Sequence, residues 1–296
     1  MTIDITAARN FVTTHGRVID RRRLYLLLDG TDPDGVVAAL DAYRNPDGGY
    51  GWGLEPDLRA SGSQPVAAMQ AFEVLAELAP DTTARSVELC DWLDAHTLAD
   101  GGLPLALPVA DRTGSAALWL DCDSDTSTLQ MTAQVAANAH LVADHDPAVR
   151  HHPWLARATD SCLAVIGELD DAPNAYTLMF AIRFLDAAAD TIDRADTLLD
   201  DLARHIPADG HLPVHGGVDG EALHPLDIAP RRDGPARRLF DHALIEVELD
   251  RLAQAQQADG GWTVEFDTVS PAAALEWRAY TTVNTLKCLH DASAAP

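Results

Sequence analysis

The stretch Gln256-Gln257-Ala258-Asp259-Gly260-Gly261-Trp262 lies between two long helical patterns and reads as the hinge of an α-hairpin. Two adjacent glycines supply backbone conformations that side chains forbid, so a helix stops sharply there. Asp259 is placed to bond the amides of the turn it opens. Gln256 offers an amide to nearby backbone, and Trp262 offers a flat surface to pack over the junction. The same grammar recurs as Asn45-Pro46-Asp47-Gly48-Gly49-Tyr50 and as Asp100-Gly101-Gly102-Leu103-Pro104. A weakened copy is Asp209-Gly210-His211-Leu212-Pro213.

The turn aspartates stand at 47, 100, 209 and 259, so the intervals are 53, 109 and 50 residues. The long interval is close to twice the short ones, which predicts a degenerate copy near His151-His152-Pro153-Trp154. Such a period holds two helices and two turns, and a fixed period means a repeat architecture. A chain of 296 residues holds five to six such units. One hairpin cannot cover its own apolar face, whereas six closing into a ring can.

Gln256-x-x-x-Gly260-x-Trp262 resembles the QW motif of squalene–hopene cyclases and related terpene cyclases. The Asp-Gly-Gly-aromatic turns are similar to the prenyltransferase and squalene-cyclase repeat. Arg44–Pro65 and Gln256–Leu289 look closer still to uncharacterised bacterial single-domain proteins known by this repeat alone. The resemblance implies an all-α chain forming a single (α/α)6 toroid over residues 1–296. Ten to twelve helices in two rings are expected, with the Asp-Gly-Gly turns together at one end.

Lys plus Arg number 21 against 46 Asp plus Glu, a formal net charge of −25. Such a surface repels nucleic acid and anionic membranes. Cys90, Cys122, Cys162 and Cys288 form no CxxC pair, which argues against a disulfide framework or a cysteine zinc site. Met1-Thr2-Ile3-Asp4 lacks the basic-then-apolar order of a signal peptide. No apolar run approaches the ~18 residues needed to span a bilayer. A cytoplasmic chain with no membrane-embedded part is expected.

The periodicity predicts a helix over 6–28, then helices at 34–43, 65–79, 82–97, 127–143, 155–169, 173–189, 191–205, 236–257 and 271–290. Asp32-Pro33 reads as a cap and first-turn proline. Residues 103–120 read as an apolar loop, and His211 to Pro235 as a long loop or lid. Arg21-Arg22-Arg23 is the most basic cluster, either a solvated helix face or a diphosphate clamp.

Three places carry candidate chemistry. In Gly49-Tyr50-Gly51-Trp52-Gly53-Leu54-Glu55-Pro56-Asp57-Leu58-Arg59, alternating glycines display two aromatics, then two carboxylates and a guanidinium. Tyr50 and Trp52 would line a cavity mouth, with Glu55, Asp57 and Arg59 as polar contacts. Alternatively Glu55 and Asp57 merely cap the helix starting near Ser63-Gln64-Pro65. The second place is Asp121-Cys122-Asp123-Ser124-Asp125-Thr126-Ser127. It is similar to the Asp-x-Asp-Thr-Thr variant of the class II terpene cyclase acid motif, which would make Asp125 the proton donor and Asp123 its partner. Trp119 would join the cavity wall. Asp, Ser and Thr before a helix are also ordinary N-caps. The third place is Phe266 with Glu276-Trp277-Arg278. Glu276 and Arg278, two apart on one helix, point to different faces, so one of them would face the cavity; alternatively Trp262 and Trp277 simply close the last repeat onto the first.

No Asp-Asp-x-x-Asp motif supports metal-dependent ionisation of a diphosphate. Asp170-Asp171 and Asp200-Asp201 read as helix-end charges. His151-His152 and His211-x-x-x-His215 read as surface histidines rather than metal ligands. No resident metal or cofactor is therefore expected, with Mg2+ only if the substrate is a diphosphate. The reading is a class II-type cyclase or isomerase of an apolar isoprenoid, its site in the ring or at a homodimer interface. The alternatives are a carbohydrate-active α/α-barrel hydrolase or lyase using Glu55, Asp57 and Glu276, and a non-catalytic binder of an apolar ligand.

Overall fold

A computed structural model describes residues 3–30, 32–169 and 172–293. Expectations that fall on Met1, Thr2, Asp170 and Asp171 lie outside them. The described chain is all-α apart from one two-stranded ladder. Its helices are α1 (Ile5–His15), α2 (Val18–Asp29), α3 (Pro33–Asp41), α4 (Pro65–Ala76), α5 (Ala84–His96), α6 (Ala117–Leu120), α7 (Leu129–Ala143), α8 (Pro147–Arg150), α9 (Pro153–Ile166), α10 (Ala175–Ala187), α11 (Ala195–Ala203), α12 (Pro225–Ile228), α13 (His242–Gln254) and α14 (Pro271–Ser293). Eleven of these fourteen run nine residues or more. The other three are single turns, and the described residues hold fourteen helices where ten to twelve were expected. The strands are β1 (Leu212–Pro213) and β2 (Ala222–Leu223), paired antiparallel.

The Asp-Gly turns share one construction. In each, the aspartate Oδ1 accepts the N–H two residues on: Gly49 to Asp47 at 3.0 Å, Gly102 to Asp100 at 3.0 Å, His211 to Asp209 at 3.1 Å and Gly261 to Asp259 at 3.1 Å. The intervening glycines 48, 101, 210 and 260 have φ between +75° and +94°, a region that other residues enter only under strain. The glycine after it is needed for a different reason in the three full copies. A Cβ at Gly49 would lie 2.6 Å from the Ser63 Cβ, one at Gly102 2.6 Å from the Ser127 Cβ, and one at Gly261 2.7 Å from the Phe11 ring.

The chain divides into two compact units, Met1–Ala39 with Ile206–Pro296, and Leu40–His205, the division falling within α3. In the Leu40–His205 unit, α7 packs against both α4 and α10. Twelve of its fifteen residues are buried, against five of thirteen in α5, so α7 lies at the centre of this unit and α5 nearer its surface. Its alanines at 133, 136, 137 and 139 keep the packed helices close. His140 lies buried on α7, 5% exposed. Thr159 gives its hydroxyl proton to the Leu155 carbonyl, so the His140 Nε2–H donates to the Thr159 oxygen at 2.9 Å.

In the other unit, Trp262 packs with Ala8, Phe11 and Val12 of α1, Leu24 of α2, and Ala279, Val283 and Leu286 of α14. Its indole N–H donates to the Leu252 carbonyl at 2.7 Å. The Asp4 N–H donates to Gln256 Oε1 at 2.8 Å, while Gln256 Nε2 donates to the Asp4 carbonyl at 2.9 Å. The first and last helices thus share one core, and the glutamine of the QW-like turn ties the chain's start to it.

Several expectations need correction. The helix over 6–28 is two helices. The chain leaves the helix at Gly16, whose backbone is extended, and only glycine fits there, since a Cβ would lie 2.7 Å from the Val12 carbonyl oxygen and 3.1 Å from Ala279. Buried Asp20 restarts it by accepting the Arg17 N–H at 3.1 Å. The 236–257 helix is a 3-10 turn at Pro235–Leu239 followed by α13. At 151–154, where a degenerate copy was expected, the chain turns from α8 into α9, and His152 caps α9 by accepting the Trp154 N–H at 3.2 Å. The stretch from His211 to Pro235 is not all loop, because it holds the β1–β2 ladder and α12. Among the described residues no helix is long and apolar enough to cross a membrane.

Two measurements check this packing. Trp262→Ala removes a 2%-exposed ring at the junction of three helices and should cost ~3–5 kcal/mol of stability. A melting curve within a degree or two of wild type would place the ring outside the core. His140 is held down to about 4 by burial, against 6.5 ordinarily. The unfolded chain therefore binds a proton below about pH 6.5 that the folded chain refuses. The group's stabilisation is present above that pH and is lost as pH falls toward 4, a change on the order of 3 kcal/mol. His140→Gln keeps a donor for Thr159 and cannot titrate, so its stability should fall less steeply across this window. Parallel denaturant curves for the two proteins would exclude His140 as the source.

Candidate functional site

The segment from Tyr50 to Gln64 is a compact loop whose ends meet. The Gln64 N–H donates to the Tyr50 carbonyl at 2.8 Å, and the Trp52 N–H to the Ala60 carbonyl at 2.8 Å. Gly51 permits this closure, since a Cβ there would stand 2.2 Å from the Gly62 carbonyl oxygen. The Gln64 side chain binds Leu107 at both its N–H and its carbonyl, which docks the apolar 103–120 stretch beside the loop. Compact loops with joined ends are frequent carriers of function.

Within this loop the two aromatics part. Tyr50 is fully buried rather than at a cavity mouth; burial pushes its phenol well up, and its hydroxyl has no hydrogen-bond partner. Trp52 is 58% exposed and has φ +56°. A bulky side chain in the left-handed region is a strained outlier, costing about 1–3 kcal/mol. The indole N–H donates to Asn45 Oδ1 at 2.8 Å, which fixes the ring while its faces stay open to solvent. The fold thus holds an unburied aromatic against a backbone penalty.

Below it lie two buried carboxyl groups. Glu55 is 3% exposed and Asp57 7%. Glu55 Oε2 accepts from Gln70 Nε2 of α4 at 2.6 Å, and Oε1 accepts the Asp57 N–H at 3.3 Å. The Gln70 Oε1 is buried without a partner, a cost usually avoided in a packed core. Glu55 and Asp57 are not helix caps: the N-cap of α4 is Gln64, and no side chain bonds there. Arg59 lays its side chain between Gly53 and Gly114, and its N–H donates to the Ser115 hydroxyl at 2.9 Å. Gln70 escaped the sequence reading, although a lone amide on an otherwise apolar helix was the available signal.

Asp121 to Ser127 is arranged differently. Asp123 and Asp125 are both exposed. The Asp123 carboxylate accepts the Thr126 hydroxyl at 2.6 Å and the Asp125 N–H at 2.9 Å. These two bonds, the hydroxyl's first, hold it below the usual carboxylate range. Ser127 donates to Asp100, and the α7 cap is Thr128 rather than either aspartate. Trp119 is half-buried on the single turn α6.

The C-terminal group also divides. Arg278 is committed to the repeat turn, with Nη2 2.8 Å from Asp259 Oδ1 and its guanidinium carbon 4.4 Å from the Phe11 ring centre. This pair holds the Asp259 carboxyl low. Phe266, Trp277 and Tyr280 form an edge-to-face ladder with centroids 5.2 and 5.4 Å apart. Buried Arg23 lies 5.3 Å from the Tyr280 centroid and donates to Asn284 at 2.7 Å. Arg22 pairs with Asp32, and Arg21 donates to the Gly16 carbonyl, so the basic cluster does not converge on one point. Glu276 is half-buried on α14.

Of the histidines, His151 and exposed His215 stand apart, while His152 is a cap that also contacts Asp91 at 3.1 Å. His211 does not join His215. It meets His224 and Glu248, with metal-ligand atoms of all three within 4.8 Å of one another. His224 and Glu248 were not legible as partners, because a hairpin and a distant helix bring them in.

No protein-family model matches the chain, and no curated protein matches it.

If Trp52 is displayed for a ligand rather than packed, Trp52→Asn should leave stability within about 1 kcal/mol of wild type, since asparagine tolerates the left-handed backbone. Denaturant unfolding measures this. A loss above about 3 kcal/mol would show that the ring is part of the core.

Proposed function

We propose that the chain is a terpene cyclase-like enzyme. Its hairpins close as an α/α toroid around an apolar chamber, and a buried carboxyl starts cyclisation or isomerisation of an isoprenoid by protonating an alkene. What supports the ring is the repeated turn, the contrast between central α7 and the more exposed α5, and the shared core of the first and last helices. What supports the chemistry above all is Glu55, a carboxyl out of water, bound by Gln70 and backed by buried Asp57.

An alkene is a weak base, and the cation it forms is quenched by water, so the donor works only where water is excluded. In this reading the Glu55 O–H bond breaks as a C–H bond forms on the substrate. The cation then loses a proton from a neighbouring carbon to the carboxylate, which restores the acid. In this reading the acid is Glu55, with exposed Asp125, the donor expected from the sequence, as its rival. Trp52 presents a face to the substrate or its cation. A second reading, carbohydrate hydrolysis or lysis by the Glu55 and Asp57 pair, is favoured by the same open indole, a surface on which a sugar ring can stack.

Wild type should convert a linear prenyl diphosphate or a squalene-like polyene to cyclised or isomerised product, assayed with and without Mg2+. Glu55→Gln should lower turnover roughly 10²–10⁴-fold with unchanged melting, and Asp125→Asn should not. The reverse pattern returns the acid to Asp125. Release of reducing sugar from oligosaccharides without conversion of polyenes would replace the cyclase reading with the second. Conversion of neither class would overturn both.

A further inference from the structure

The weakened repeat turn differs from its siblings at one position, and that position starts a site. In the three full copies the second residue after the aspartate is glycine because a neighbour leaves no room for a side chain. At Asp209-Gly210-His211 it is His211, and the chain continues into β1. The ladder pairs Leu212 with Leu223, so the next pair outward is His211 and His224. The two rings meet edge-on with centroids 4.8 Å apart. Glu248 of α13 faces both. Its Oε1 is 3.6 Å from His211 Nε2 and its Oε2 is 3.4 Å from His224 Nδ1.

We infer that His211, His224 and Glu248 bind a divalent transition-metal ion of the Zn2+ class, with a fourth position open to solvent. Four observations carry this. First, His224 Nδ1 is buried and makes no hydrogen bond despite its closeness to Glu248. A gap of 3.4 to 3.6 Å is long for a charge-assisted hydrogen bond. Each gap is close to the ~3.3 Å edge of a tetrahedron with metal–ligand distances near 2.0–2.1 Å, although the two run to different Glu248 oxygens, and with one ligand atom per residue the three lie within 4.8 Å of one another.

Second, each imidazole turns its other nitrogen toward a carboxylate. His211 Nδ1 is 4.0 Å from Asp209, and His224 Nε2 is 3.7 Å from Glu265. These separations are beyond hydrogen-bond range, but a negative charge beside the outer nitrogen favours the proton on that side and leaves the inner lone pair for a metal. Third, Glu248 is 2% exposed and is held by Arg251 at 2.9 Å, as ligating carboxylates are commonly held by an outer partner. Fourth, two imidazoles with one carboxylate suit zinc-like ions and not magnesium or calcium, which prefer all-oxygen sites. The histidines are 35% and 15% exposed, which leaves water a way in on the His211 side. A formal charge of −25 favours cation entry.

The test uses the full chain, stripped by a chelator and dialysed. Zn2+ binding is titrated against a chromophoric chelator, and Co2+ serves as a spectroscopic probe of geometry. Wild type should bind one Zn2+ per chain and give the intense visible bands of tetrahedral Co2+. His211→Ala, His224→Ala and Glu248→Gln should each weaken Zn2+ by roughly a hundredfold or more, whereas His215→Ala should not change it. Glu265→Gln, at an exposed residue whose loss spares the fold, should weaken it roughly tenfold. Wild type taking up no more Zn2+ than His224→Ala would overturn the site and leave a histidine–glutamate ion-pair cluster. Stoichiometric binding that survives in all three ligand variants and in Glu265→Gln would place the metal elsewhere and overturn it equally.

Discussion

A carboxylate oxygen that accepts the amide two residues downstream, across a glycine in the left-handed region, is the interaction on which this architecture rests. It bends the chain sharply within a few residues, at a backbone conformation that glycine alone adopts freely. The aspartate's remaining capacity then ties the turn to its neighbours. Asp47 receives Ser63 and Trp92, Asp100 receives Ser127, and Asp259 receives Arg278. The helix after the turn adds a further clamp. Thr132 accepts the Leu103 N–H, and Thr282 accepts the Trp262 N–H, each hydroxyl donating one turn back along its own helix. Three levels of structure therefore meet at one carboxylate: turn geometry, helix start and helix–helix register.

That is also why so much of the fold was legible. A bond between residues i and i+2 leaves its mark in adjacent letters, and its repetition at intervals of 50 and 53 residues reveals a repeat. Helix starts with local causes were equally visible, as at Asp32-Pro33, where Asp32 accepts the Gly35 N–H at 2.9 Å. The break at Gly16 was not visible, because what leaves no room for a side chain there includes Ala279, 263 residues away in sequence. The same holds for Arg278. Its spacing from Glu276 allowed either to face a ligand, and only Phe11 and Asp259, brought by other elements, decided that the guanidinium serves the turn.

The candidate site divides along the same line. Glu55, Asp57, Arg59 and Trp52 could be singled out because glycine alternation and clustered charge are local. Which of them is buried could not. Tyr50 and Trp52 have the same glycine-flanked setting, yet one is sealed in the core and the other is held out at φ +56°. The decision rests with Asn45 and the Ser61–Gly62 backbone, against which the loop closes. Asp123 and Asp125 illustrate the converse. Their motif is the sharpest in the sequence, yet hydrogen bonds from Thr126 and the Asp125 amide stabilise the charged form of Asp123, which closes a turn just ahead of α7. A short acidic motif reports that a turn is stabilised before it reports that a proton is held.

A repeat also shows where function can enter without disturbing the fold. The bond from the aspartate to the amide two residues on survives at Asp209, so the turn there needs no second glycine. What that glycine served elsewhere was the close approach of a neighbour. Where the approach is relaxed, a side chain can occupy the position, and here it is an imidazole. The strands that follow place a second imidazole opposite it, and α13 supplies a carboxylate. The site thus needs no departure from the repeat's backbone grammar. It needs one neighbour to stand back, and the copy that looks weakest as a structural signature is for that reason the one best able to carry chemistry.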